Sequence, residues 1–324
     1  MHAPGKNPVF AVYYPFLAAV GVTANLMAIV ILSRGRCGLS RCITRYLVSM
    51  AVSDLLVIIT AVILNRISGM FFPFSLLSTT PACSIICVLI YAARDSSVWL
   101  TVAFTFDRFV AICCQKLKTK YCTEKTADLA IGTVCALSCL KNIPSYLIYE
   151  PMFIINNVPW LCNIKMTYYT SAGWAVYDWL GRISAPCVPF LLMLLLNVLT
   201  VRHILAASRG RRRLRAESKE KTQIDPELES RRKSIVLLFT ISGSFILLWT
   251  TYVVNFLYAR ATNNYFSGTN FSDPKFILQE TGNSLQLLSC CTNTFIYAVT
   301  QRKFRLELRN VLKWPLSLIE KLNK

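Results

Sequence analysis

Seven stretches of this chain, 9–32, 43–65, 83–113, 127–149, 171–201, 235–258 and 276–300, are each long and apolar enough to cross a bilayer as a helix. A hydrocarbon core about 30 Å thick needs roughly 20 mostly apolar residues at the α-helical rise. Within it every backbone N–H and C=O must find a partner inside the segment, which leaves the helix as the only conformation for a single run. The expected fold is an all-α membrane protein: a seven-transmembrane helix bundle over residues 9–300. A short extracellular N-terminus (1–8) precedes it, and a cytoplasmic amphipathic helix and tail (301–324) follow. The third and fifth stretches exceed the minimum and are expected to tilt or to project beyond the bilayer. Composition agrees, with 54% of the 324 residues hydrophobic and only 16% charged, where soluble domains carry about 25% charged residues.

The net charge of +19 resembles a nucleic-acid signal until the cations are placed. Of 35 Lys and Arg, 26 follow the first, third, fifth and seventh stretches, counting with them Arg45 at the very start of the second. Five (Lys6, Arg66, Lys165, Arg260 and Lys275) fall on the other face, and four lie inside the stretches. Loops rich in Lys and Arg stay in the cytoplasm, so the expected protein is a multi-pass plasma-membrane protein with its N-terminus outside and its C-terminus inside. Membrane lipids with anionic headgroups account for most of the charge, an acidic cytosolic partner for a smaller share, and nucleic acid for none. Eight residues before the first stretch are too few for a cleavable leader, so that stretch is expected to act as an uncleaved signal anchor.

Thirteen cysteines do not imply a disulfide scaffold. On this topology most sit in spans or on the reducing side, and only Cys83 and Cys162 face an oxidising compartment, so one bridge is expected. Asn270-Phe271-Ser272 matches the N-glycosylation acceptor pattern in the last outer loop. No Cys/His spacing suggests zinc, and two His leave metal catalysis little to work with.

Ionisable groups inside a bilayer are costly and face a bundle interior, a cavity or a partner. Asp54 is the clearest, with Asn25 and Asn293 placed to converge on it, as a structural polar knot, a small-cation site or a switch. Arg108, in Asp107-Arg108-Phe109, either snorkels to headgroups or is held by its acidic neighbour until a cytoplasmic group competes. Arg94-Asp95 in the third stretch, and Asp178 and Arg182 four apart on one face of the fifth, form either a satisfied ion-pair network or a site where an Arg receives a ligand carboxylate. Tyr91 and Trp249 either pack or line the same cavity.

Together these motifs resemble the rhodopsin-like (class A) family of G-protein-coupled receptors. The likeness runs from about residue 15 to 313: Gly21-Val-Thr-Ala-Asn25, Ser53-Asp54-Leu55, Asp107-Arg108-Phe109, Phe245-x-x-x-Trp249 and Asn293-Thr-Phe-Ile-Tyr297, then Phe304. More narrowly, the run Asp95 to Arg108 and Leu238-Phe-Thr-Ile241 are similar to a small orphan branch thought to sense tryptophan and phenylalanine and to signal largely through the Gq class. The resemblance implies a non-enzymatic cell-surface receptor. It would bind a small extracellular ligand, an amino acid or short peptide, and activate a heterotrimeric G protein. It implies a ligand pocket at Tyr91, Arg94, Asp95, Asp178, Arg182 and Trp249, with no cofactor beyond an allosteric sodium ion at Asp54. Asn25, Asp54, Ser97, Asn293 and Tyr297 would form the sodium or switch group, Val98, Pro189 and Phe245 the connector, and Asp107 and Arg108 the G-protein end.

Several family residues are replaced. Thr251 and Thr294 stand where prolines are usual, Asn197 where span five has Tyr, and span four lacks its Trp. Arg231 occupies the place of the acid that restrains the span-three Arg, so it would repel Arg108, and ligand-independent signalling is expected. A transporter is the rival class, but the halves show no internal repeat. A retinal receptor would need a Lys in 276–300, where none occurs. Residues 302–312 set Phe304, Leu308, Val311 and Leu312 among basic residues, as an interfacial amphipathic helix does.

Overall fold

A computed structural model describes residues 8–217, 226–261 and 273–322. Seven long helices make the bundle: α1 (Pro8–Ser33), α2 (Arg41–Phe71), α3 (Thr80–Cys113), α4 (Glu124–Ile148), α5 (Ala172–Ala207, continuing to Glu217), α6 (Pro226–Ala261) and α7 (Pro274–Thr300), and an eighth, α8 (Arg302–Leu322), follows at once. Six of them are apolar enough to cross a membrane by length and composition. The other, α7, is long enough but rich in Ser, Thr, Asn and Gln. Its polar positions are tolerated because they face the bundle: Gln286, Thr294 and Glu280 are all buried.

Local sequence sets the helix ends. Ser40 caps α2 by accepting from the Ile43 amide, Thr123 caps α4 through the Thr126 amide, and Asp273 caps α7 through the Lys275 amide; each oxygen satisfies an amide that a helix N-terminus leaves open. Pro81 and Pro274 lie in first turns, where the missing N–H costs nothing. Pro144 is placed differently. There α4 tightens from α-helix (Glu124–Asn142) to a 3-10 segment (Ile143–Ile148), because an interior proline removes a donor and clashes with the preceding turn.

Three helices, α2, α5 and α6, run past their expected limits. The apolar run of α2 ends at Asn65, yet its helix continues through a π-helical stretch (Ile58–Ile67) to Phe71. The extension can carry Arg66 because that cation has a protein partner: it stands 3.6 Å from Glu280 of α7, with its guanidinium 5.6 Å from the Tyr14 ring of α1. In α5 a second π-helical turn (Ile183–Cys187) contains Pro186. Such wide turns relieve an unmatched backbone carbonyl and re-aim the residues before them, here those facing the outer cavity.

The core has two large apolar clusters. One joins the inner halves of α1 to α4, α6 and α7 around Leu47, Phe104, Leu237 and Tyr297; the other joins the outer halves of α1, α2, α3 and α7 around Tyr14, Leu17, Ile58 and Ile90. Gly21 permits the second: a Cβ there would stand 2.9 Å from both Cys291 Sγ and Ile58 Cγ1. At α8, Phe304 is fully buried edge-on to Tyr297 with ring centroids 5.8 Å apart, which seats the amphipathic helix against the bundle.

Between α4 and α5 the chain forms a hairpin that the apolar pattern did not reveal. Strands β1 (Tyr149–Glu150) and β4 (Asn163–Ile164) pair antiparallel, and so do β2 (Phe153–Ile155) and β3 (Val158–Trp160). Its two-residue turn is Asn156-Asn157, both at positive φ, the left-handed pair that matches strand twist and that Asn tolerates well. The expected Cys83–Cys162 disulfide is present and ties the hairpin to the outer end of α3. Around it Leu161 donates its amide to the Ser78 carbonyl and accepts from the Thr80 hydroxyl.

Candidate functional site

Beneath the hairpin, α3 to α6 enclose a cavity of about 250 Å³. Typical drug-sized sites span ~300–1,000 Å³, so the space suits a molecule of amino-acid size. Tyr91, Arg94, Asp95, Asp178 and Trp249 all line it, joined by Lys141, Tyr168 and Tyr252. The Tyr91 hydroxyl lies 3.4 Å from that of Tyr149.

The ion pairing differs from the sequence expectation. Asp95, 4% exposed, takes its cation from α4: Lys141 Nζ is 2.6 Å from Oδ2, and Asn142 Nδ2 donates to the same oxygen at 2.8 Å. Lys141 also donates to Ser184 in the wide turn of α5, so one ammonium joins three helices. Lys141 was one of four cations inside the stretches, and its side chain reaches Asp95 only because α4 packs on α3. Asp178 accepts from the Tyr168 hydroxyl at 2.5 Å. The side chain of Arg182 lies outside the described residues, as does Asn270.

Arg94 stands apart. Its Nε is buried without a hydrogen-bond partner while its side chain borders the cavity. A buried unpartnered donor costs about 1–3 kcal/mol, more on a charged group.

Below the cavity Trp249 donates from Nε1 to Ser289 of α7 at 3.2 Å and stacks on Phe245 at 4.8 Å. Phe245, Val98, Val102 and Met193 form one buried cluster with Trp249. Pro189, one turn before Met193, is itself buried. These residues join α3, α5 and α6. Farther in, Asn197 and Ser242 exchange hydrogen bonds of 2.8 and 3.1 Å between α5 and α6.

Asp54 is 1% exposed. Its Oδ1 accepts from the Ser97 hydroxyl at 2.5 Å and its Oδ2 from Asn293 Nδ2 at 2.8 Å, so α2, α3 and α7 meet on one carboxylate. Asn25 does not reach it, contrary to expectation. Its amide donates instead to the carbonyls of Gly21 and Cys290 at 2.9 and 2.8 Å, because the close α1–α7 approach at Gly21 sets Asn25 against the α7 backbone. The Tyr297 hydroxyl is buried without a hydrogen-bond partner.

At the inner end Arg108, 5% exposed, is held by Asp107 through Nε and Nη2, and its Nη1 lies 3.4 Å from the Ser234 hydroxyl of α6. Asp107 in turn accepts from the Cys42 thiol at 3.3 Å. The side chain of Arg231 lies outside the described residues.

A second polar cluster was not foreseen. Glu280 receives Arg66, Asn283 (3.1 Å) and the Tyr14 hydroxyl (3.5 Å), and the neighbouring Tyr13 hydroxyl donates to the Ser284 carbonyl at 2.8 Å. The one clue in the sequence is Glu280, an acid inside the seventh stretch.

The family model described as 7 transmembrane receptor (rhodopsin family) matches residues 24–297. Among curated proteins, the chain is 22% identical over 300 residues to a C-C chemokine receptor type 1 of Macaca fascicularis, covering 92% of this chain and 78% of that protein. It is 22% identical over 312 residues to an allatostatin-A receptor of Bombyx mori (95% and 80%). It is 20% identical over 303 residues to a G0-coupled rhodopsin of Mizuhopecten yessoensis (94% and 72%).

Proposed function

The chain belongs to the rhodopsin family of seven-transmembrane receptors, a receptor and not an enzyme, and from that premise we propose what it recognises and how it signals. It binds a small extracellular carboxylate, an amino acid such as tryptophan or phenylalanine or a short peptide, in the cavity under the hairpin. It then activates a heterotrimeric G protein of the Gq class. The N-terminus lies outside the cell and the C-terminus inside.

The observation that carries this reading is Arg94, a guanidinium on the cavity wall with a buried donor left unpartnered. Lys141 and Asp95 neutralise each other and Asp178 is engaged by the Tyr168 hydroxyl, so Arg94 is the cation that attracts a carboxylate entering the cavity. Tyr91, Trp249 and Tyr252 supply aromatic faces for an aromatic side chain.

Signalling is a population shift. A ligand that favours an outward position of α5 and α6 acts on Trp249, passes through Phe245, Val98 and Pro189, and frees Arg108 for the G protein. The Asp54 carboxylate and Ser97 hydroxyl are hard oxygen donors brought together in the bundle, a set that fits a sodium ion, with Asn293 and Tyr297 completing the switch. The ion would hold the closed form. Among the described residues the α6 contact of Arg108 is a neutral hydroxyl, not an acid, which supports appreciable ligand-free signalling.

The test is calcium and cyclic-nucleotide output in cells bearing the tagged receptor, against a panel of amino acids and short peptides. Arg94→Gln should weaken an active carboxylate ligand about 10- to 150-fold, the worth of one hydrogen bond to a charged group. Equal potency of a ligand and its carboxamide would overturn the Arg94 assignment.

A further inference from the structure

Ser234 sits in the inner turns of α6 directly behind three cations, Arg231-Arg232-Lys233. Its hydroxyl meets Arg108 Nη1 across the α3–α6 seam at 3.4 Å, the long end of a hydrogen bond. The other donors of that guanidinium, Nε and Nη2, are already on Asp107. One nitrogen of a buried arginine is therefore directed at a hydroxyl that a phosphate could occupy.

We propose that Ser234 is a phosphorylation site for a kinase selective for basic sequences, and that its phosphate binds Arg108 and locks α6 against α3. The three cations provide an address for the acidic substrate groove of such a kinase. In the transfer, Ser234 Oγ attacks the γ-phosphorus of ATP, the bond from that phosphorus to the β–γ bridging oxygen breaks, and ADP leaves. The hydroxyl proton passes to the kinase's base. The product carries about −1.5 to −2 charges and three acceptor oxygens, so a weak neutral contact becomes a charge-assisted, bidentate-capable one.

The geometry also sets an order of events. With α6 closed, the Ser234 hydroxyl is half-buried and turned to Arg108, so the kinase reaches it when α6 has moved away. Phosphate is added to the open form and then holds the closed one. The chain thus gains by modification the anion on α6 that its sequence replaces with Arg231. The effect on signalling rests on the G-protein role proposed for Arg108; the phosphate–Arg108 contact does not.

The full-length protein in lipid nanodiscs is treated with an arginine-directed serine kinase and Mg-ATP, and phosphate is mapped by mass spectrometry. Melting temperature and ligand-free nucleotide exchange on Gq are measured before and after, for the wild type, Ser234→Ala and Arg108→Ala. The expected results are phosphate on Ser234, a melting temperature raised by about 2–4 °C in the wild type, no rise in either variant, and exchange in the wild type reduced severalfold. Unmodified Ser234 in protein that shows ligand-free nucleotide exchange, and so samples the open form, would overturn the proposal, as would equal shifts in the wild type and Arg108→Ala. If no G protein responds at all, the receptor reading fails while the melting comparison still decides the contact.

Discussion

Lys141 Nζ lies 2.6 Å from Asp95 Oδ2, and this pair, closed between α4 and α3, determines the charge of the outer cavity. With Asp95 neutralised, Arg94 and Asp178 are the charges left on the described cavity wall, and Arg94 presents its positive end to whatever enters. Removing one member of a buried pair strands the other and typically costs about 3–5 kcal/mol. The Lys141 side chain is 32% exposed, so a smaller loss is expected here. Lys141→Met should lower the melting temperature of the purified protein, and adding Asp95→Asn should recover much of it. A double variant no more stable than the single one would show that the pair is not coupled.

The Asp54 group makes a separate prediction. In wild-type protein, replacing choline with sodium should raise the melting temperature and lower ligand-free signalling, because the proposed ion would favour the closed bundle. Ser97→Ala and Asp54→Asn each remove an oxygen donor, and both should abolish the difference. Sodium sensitivity retained in both variants would place the ion elsewhere.

Gly282 lets α7 pack closely against the backbone of α6. A Cβ there would stand 3.1 Å from Tyr252 Cα and 3.2 Å from its amide nitrogen, and backbone atoms cannot step aside as a side chain can. Gly282→Ala should therefore destabilise by about 1–3 kcal/mol, the usual cost of overpacking. Gly132→Ala, with nothing within 4 Å of the added atom, should not. Thermal denaturation of the two variants side by side checks this.

Cys122 reports on the inner end. Burial, reinforced by the Asp107 carboxylate, pushes its thiol up to about 11. Only the thiolate reacts with alkylating agents, so its labelling rate should climb about tenfold per pH unit from 7 to 10, whereas an ordinary thiol levels off near 8.5. Peptide-level mass spectrometry after iodoacetamide pulses reads the rate. A plateau below pH 9 at Cys122 would contradict the environment described for Asp107.

The expected stretches and the helices coincide to within a few residues except at α2, α5 and α6. Each of these runs on because something outside the apolar count supports it: Arg66 finds Glu280, and the inner ends of α5 and α6 project past the apolar stretches. The Cys83–Cys162 bridge was legible because topology left two cysteines in an oxidising setting. The hairpin was not, since its strands are two or three residues long and carry little periodic signal.

The sequence by itself determined how many long helices this protein forms, the apolar faces they bury and which polar residues must be kept from lipid, because hydrocarbon thickness and backbone hydrogen bonding act on each segment alone. Only the tertiary structure decided who meets whom. Lys141 of α4 reaches Asp95, Asn25 turns to the Cys290 carbonyl instead of Asp54, and Ser234 faces Arg108. Those choices depend on the rotation and separation of packed helices, at Gly21 and Gly282 and at the wide turns of α2 and α5, and a periodic pattern along one helix says nothing about the phase of its neighbour.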